Sequence, residues 1–236
     1  LADRKAELLP VGYFHMVFTL PHEMNLLIHY NARLLLGEFF AVVNELLQSF
    51  AADPQWRLQG QLGFLAVLHT WSQVLMDHFH LHCVVPGGVW RAAAKPLGIA
   101  GRENEGRWIH SRRKFLFRKD SMSKALAGSF IRRLDKLYER KRLRLPPSLA
   151  DPAAWTALRD KLATLKWVVY AKRPFAGPEQ VLEYLGRYTH RVAISDHRIL
   201  ALKDGQVTFS YRDRQDDDQV KTMTISTDEF IRRFLL

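Results

Sequence analysis

The run Asp77-His78-Phe79-His80-Leu81-His82-Cys83-Val84-Val85-Pro86-Gly87-Gly88 constrains this chain more than any other stretch. Histidines alternate with bulky apolar residues, and the apolar run stops at a proline and two glycines. That is the pattern of a strand leading into a turn. Side chains at i and i+2 of a strand share a face, roughly 6–7 Å apart, so two neighbouring imidazoles can converge on one metal ion. The outer two of three would lie roughly 13 Å apart, too far to share an ion without a bend. His80 and His82 are the expected pair, because Leu81 and Val84-Val85 embed them in the strand while His78 follows Asp77 at its mouth. Imidazoles joined by an oxygen ligand and phosphate oxygens suit Mg²⁺ or Mn²⁺, and the same pair would hold zinc or nickel. A third ligand must come from another element, and Gln180, His69, His15 and His190 are all candidates.

Around that strand the chain reads as mixed. Tyr13 to Leu20 is aromatic and branched and stops at Pro21, as a strand would. Helices are expected at about His22 to Phe50 and Gly60 to Met76, separated by Asp53-Pro54, which puts His69 on a helix. An exposed loop from Gly98 to Gly106 leads to a return strand at Arg107-Trp108-Ile109. A basic amphipathic helix follows over Phe115 to Arg142, with Phe117, Leu126, Phe130, Leu134 and Leu137 available for packing and Leu145-Pro146-Pro147 ending it. Then come a short helix at Ala153 to Leu162, a strand at Trp167 to Tyr170, a helix from Pro178 to about Tyr188 and a strand at Val192 to Ile194. Asp204-Gly205 between two apolar runs signals a hairpin, Asp213 to Asp218 the tip of another, and Asp228 to Leu235 a closing helix. The class is α+β.

Within the expected helix, Tyr184-Leu185-Gly186-Arg187-Tyr188 places two phenols four residues apart on one side. A phenol with a pKa near 10 attacks a phosphodiester only with a neighbouring cation, metal or base. Arg187, Arg191 and His190 lie close enough in sequence to help.

The formal net charge is +11, and its placement matters more than its size. From Arg102 to Arg144 there are 15 Lys or Arg against 5 Asp or Glu, so nearly all the surplus falls in one segment. Clustering of this kind suits a polyanion-binding face, with Arg112, Arg113 and Lys114 as its contacts. No apolar run approaches the roughly 20 residues of a membrane span, so no membrane partner is expected. Cys83 is the sole cysteine, which excludes disulfides and cysteine-based zinc sites within the chain and fits a reducing, cytoplasmic setting. The chain opens on Leu1, as a processed or trimmed one would.

Five stretches carry a family resemblance: Val11 to His22 (VGYFHMVFTLPH), Leu68 to Trp71 (LHTW), the His78 to Gly88 run, Val169 to Phe175 (VYAKRPF) and Tyr184 to Ser195 (YLGRYTHRVAIS). In this order they resemble the two-tyrosine transposases of rolling-circle insertion sequences, which are HUH endonucleases, named for histidine, hydrophobe, histidine. The resemblance implies a central antiparallel sheet flanked by helices, with the basic helical segment at about 112–165 as an insertion in a single catalytic domain over residues 1–236. It implies a nuclease and strand transferase on single-stranded DNA at element ends, nucleoid-associated, using Mg²⁺ or Mn²⁺ and no nucleotide cofactor. His80 and His82 match the metal histidines, and Tyr184 and Tyr188 the nucleophile pair, whose attack leaves a 5′-phosphotyrosine and a free 3′-hydroxyl. Relatives usually carry a cysteine-rich zinc segment ahead of this region, which one cysteine cannot form. The rival enzyme reading is a metal-free tyrosine recombinase, suggested by His110-Ser111-Arg112-Arg113. The rival non-enzymatic reading is a DNA-binding remnant of a transposase. The oligomeric state is not legible in these residues.

Overall fold

The computed structural model describes residues 8–92, 106–111, 116–171, 193–213 and 216–235. Its centre is a four-stranded sheet in the order β2-β3-β1-β6, built from β1 (Tyr13–Thr19), β2 (Leu65–Trp71), β3 (Asp77–Pro86) and β6 (Val169–Ala171). Each pair of neighbours is antiparallel. The α+β class and the central antiparallel sheet expected from the sequence are therefore present.

Alternation along β1 and β3 gives the sheet two chemically different faces. Phe14, Met16 and Phe18 of β1 and Phe79, Leu81, Cys83 and Val85 of β3 enter the main core. Against them lie the apolar sides of α2 (Ala32–Ala52) and α3 (Lys119–Glu139), which contribute Leu35, Phe39, Val42, Val43, Leu46 and Leu47 from one helix and Met122, Leu126, Phe130 and Leu134 from the other. These residues recur at three- and four-residue spacing, so each helix turns one stripe to the sheet. Fully burying a side chain of this kind contributes roughly 1.5–3 kcal/mol, so this layer dominates stability. α2 is long and apolar enough, by length and composition, to cross a membrane. Here its apolar stripe is spent on the sheet.

Two expected helices are corrected. Residues 60–76 form β2 and a turn, because the residues that reach the core, Leu62, Phe64, Ala66 and Leu68, recur every second position and β2 pairs with β3 along its length. The long helix expected over His22 to Phe50 is broken at Asn31 into a 3₁₀ turn (His22–Met24), α1 (Asn25–Tyr30) and α2. Asn31 leaves helical geometry because its buried amide serves a distant segment: Nδ2 donates to the carbonyls of Leu27 and Arg144, and Oδ1 accepts from the Arg144 amide. Of the strand expected at Val192 to Ile194, residues 193–194 form a bend, and Val192 lies outside the described residues.

The other elements match expectation, except that Gly88, expected in a turn, begins a further strand. A β4 (Gly88–Arg91) and β5 (Arg107–His110) ribbon follows β3, and α4 (Pro152–Thr164) is capped by Asp151, whose carboxylate accepts from the Ala153 amide. The C-terminal region is a three-stranded sheet of β7 (Ile199–Lys203), β8 (Gln206–Asp213) and β9 (Gln219–Ser226), closed by α5 (Thr227–Leu235). Asp204 and Gly205 both take positive φ, 51° and 69°, as a two-residue hairpin turn of this hand requires.

This C-terminal sheet docks on the tip of the β2–β3 hairpin. Leu75, at the tip, is 2 % exposed and shares a small core with Ile194, Val207 and Phe209. Two guanidinium groups cap the tip's carbonyls: Arg198 Nη2 donates to Gln73 at 2.6 Å and Arg233 Nη1 to Val74 at 3.1 Å.

Candidate metal centre

The sheet face turned away from the helices carries the imidazoles. Directly paired residues share a face, and the register sets His69 of β2 opposite His80 of β3, with Thr19 of β1 on the other side of His80. His82 lies between Val67 and Val17 in the next row. The hairpin thus brings His69, His80 and His82 together, with one candidate ligand atom from each, all within 4.8 Å of one another. Ring centroids are 4.9 Å apart for His80 and His82, 4.5 Å for His69 and His82, and 5.3 Å for His69 and His80. His69 and His82 are buried and His80 is partly so.

The residues fit a divalent ion. Three neutral imidazoles around one ion need nitrogen–nitrogen separations of about 3.3 Å for metal–nitrogen bonds near 2.0–2.1 Å. The observed candidate atoms lie within 4.8 Å of one another, at most about 1.5 Å wider than that spacing. His80 is already oriented for the task, because its Nδ1 donates to the His78 carbonyl at 2.7 Å and leaves Nε2 with the lone pair. His82 Nδ1 lies 2.8 Å from His15 Nε2. Trp71 stacks on His69, with planes 9° apart, and closes one side of the group.

His80 and His82, the pair expected from the sequence, both stand in this group, and four residues were candidates for the third position. The structure brings His69 into the group and gives His15 a different place, beside His82. Gln180 and His190, the other two candidates, lie outside the described residues. So do Tyr184, Tyr188, Arg187 and Arg191, and also Arg112, Arg113 and Lys114. His78, set aside as peripheral, has its ring 4.7 Å from that of His80 and 5.3 Å from that of His22. What concealed His69 was the helical reading of residues 60–76; the period-two pattern of Leu62, Phe64, Ala66 and Leu68 was the available signal.

The basic segment sits elsewhere. Its helical part, α3, packs through Met122, Leu126, Phe130 and Leu134 on the face of the sheet opposite the imidazoles. Arg133 is engaged by Glu38 and Glu45 of α2. Cys83 also faces the helices, where burial pushes its thiol up to about 12, so it takes no part in the histidine group. Tyr170, on β6 and opposite Val17, lies on the imidazole face and is exposed.

An antiparallel sheet flanked by helices, with three imidazoles gathered on one face, is consistent with the HUH arrangement. The profile of a protein family described as "Putative transposase" matches residues 63–236, which include the whole histidine group. The chain belongs to this transposase family. It is 45 % identical over 239 residues to "Putative transposase y4qJ" of Sinorhizobium fredii, covering 100 % of this chain and 57 % of that protein. It is 25 % identical over 205 residues to "Transposase for insertion sequence element IS801" of Pseudomonas savastanoi pv. phaseolicola, covering 85 % of this chain and 45 % of that one. The chain therefore spans about half the length of these curated relatives. No solved structure matches.

Proposed function

We propose that this chain is the catalytic domain of an HUH-type transposase that cuts and rejoins single-stranded DNA at the ends of an insertion sequence, in rolling-circle transposition. The observation that carries the proposal is the convergence of His69, His80 and His82 on one sheet face in a chain of a transposase family. A divalent ion held there would polarise a non-bridging oxygen of the scissile phosphate and stabilise charge in the transition state. Three nitrogen ligands favour Mn²⁺ over Mg²⁺, which prefers an all-oxygen shell.

The chain's own residues do the covalent work. The phenolic oxygen of Tyr184 or Tyr188 loses its proton and attacks phosphorus. The bond from phosphorus to the 3′ oxygen breaks, and that oxygen takes up a proton to leave as a free 3′-hydroxyl. The 5′ end stays on the tyrosine. The phosphotyrosine keeps the energy of the broken ester, so attack by another 3′-hydroxyl rejoins DNA without a nucleotide cofactor, and two tyrosines allow two linked transfers. Arg187 and Arg191 contact the phosphate backbone beside the tyrosines. Arg112, Arg113 and Lys114 add further contacts to the phosphate backbone.

Incubation with labelled single-stranded DNA carrying candidate ends, with Mn²⁺ and with a chelator, tests this reading. A protein-linked 5′ fragment that needs Mn²⁺ and maps to Tyr184 or Tyr188 is the expected result. An adduct that survives chelation, or sits on the 3′ side, points to the tyrosine recombinase. Binding without any adduct points to a non-catalytic remnant. Tyr170 is the internal control: two strand spacings from His82, roughly 10 Å, it shares the imidazole face without being the expected nucleophile.

A further inference from the structure

The geometry points to His15 as the positioning residue of this centre: it fixes the tautomer of His82 and so decides which nitrogen His82 offers to an ion. The inference rests on the metal reading above and adds a residue to it. His15 Nε2 and His82 Nδ1 are 2.8 Å apart, and the two rings lie within 5° of parallel with centroids 5.1 Å apart. His15 is 5 % exposed. The register explains the pairing. His15 stands opposite Val84 and diagonally from His82, and Tyr13 and Val84 pack together beside it under Val11 and Leu8.

A neutral imidazole carries one N–H and one lone pair, so a contact of this length holds a single proton between two nitrogens. If that proton belongs to His82 Nδ1, the lone pair of His82 is on Nε2, where an ion shared with His69 and His80 can use it. If it belongs to His15 Nε2, His82 carries its proton on Nε2 and cannot ligate through that atom. His80 faces no such choice, because its Nδ1 meets a carbonyl that only accepts. His82 therefore depends on its neighbour in a way that His80 does not. His15 must accept at Nε2 and keep its own proton on Nδ1. Ligating histidines whose outer nitrogen is held in this way bind metal about 10–100-fold more tightly than those whose partner is removed.

The test uses two substitutions. His15→Gln keeps an acceptor oxygen near the position of Nε2, whereas His15→Leu keeps bulk and removes the acceptor. In titrations with Mn²⁺ or Co²⁺, the leucine variant should lose about 10–100-fold in affinity and the glutamine variant less than about threefold. Wild-type affinity in the leucine variant, or an equal loss in both variants while both melt like wild type, overturns the proposal. Should the substitutions disturb folding, nitrogen–proton correlation spectra of the Zn²⁺-loaded wild-type chain decide. Protons on Nδ1 of both His15 and His82 support the assignment, and a proton on Nε2 of His15 refutes it. Absence of metal binding in the wild type would overturn the metal reading itself. Binding that is lost in His80→Ala but kept in His15→Leu would overturn the role of His15 alone.

Discussion

Leu75 offers a sharp test of how the histidine-bearing hairpin is anchored. It is 2 % exposed and adopts φ 59°, a left-handed conformation that a branched side chain enters at a cost of about 1–2 kcal/mol. The tip tolerates this because the side chain fills the C-terminal core beside Val207 and Phe209. Truncation to alanine should cost about 2–5 kcal/mol, the range for leucine-to-alanine changes in well-packed sites. Glycine is the informative comparison. At an ordinary buried position glycine would fall below alanine by about 0.8 kcal/mol for the lost methyl and about 0.5–1 kcal/mol for backbone entropy. Here relief of the left-handed strain offsets that, and Leu75→Ala and Leu75→Gly should unfold within about 0.5 kcal/mol of each other. Urea titrations with unchanged slopes measure the gap, and hydrogen exchange of β7 to β9 shows whether the loss is local. A glycine variant less stable than alanine by about 1.5 kcal/mol would refute the reasoning, because the strain would then be absent.

Other outcomes follow from the same geometry. Hydrogen bonds from Arg232 and Arg233 pull the Glu229 carboxyl down from 4.5 to about 2, and Arg233 also holds the Val74 carbonyl. A depressed carboxylate contributes stability above its unfolded value that is lost as pH falls toward the folded one, so the wild type should weaken between about pH 4.5 and pH 2 more than Glu229→Gln does in parallel urea titrations. Burial and the raised pKa of Cys83 predict that the thiol resists iodoacetamide at neutral pH in the folded chain and reacts once urea unfolds it; rapid labelling of the native protein would contradict its placement. Affinity for a labelled single strand should fall with salt, with a log–log slope of about 0.7 per phosphate contact, and Arg112→Ala or Arg113→Ala should each lower that slope by about one contact.

The sequence disclosed the strand that carries His80 and His82 because β3 obeys a simple alternation with clear punctuation at Pro86-Gly87-Gly88. It disclosed α3, α4 and the Asp204-Gly205 hairpin for similar local reasons. It half-concealed β2: Leu62, Phe64, Ala66 and Leu68 alternate, but the unbroken apolar run from Phe64 to Leu68 also fits a helix, and pairing with β3 selects the strand. His69 went with it, so the third imidazole of the group became evident only through that pairing. The break at Asn31 was equally invisible, since its cause is a carbonyl and an amide at Arg144, 113 residues away. The contact between His15 and His82 spans 67 residues and emerges only from the β1–β3 register.

X-ray absorption of the chain loaded with one equivalent of Zn²⁺ or Mn²⁺ addresses the histidine group most directly. Three imidazole nitrogens should appear in the first shell, near 2.0–2.1 Å for zinc and slightly further for manganese, falling to two in His69→Ala, about as the ligand count requires. A first shell made of oxygens, or one unchanged by substituting His69, His80 or His82, would contradict the metal centre and the transposase mechanism built on it.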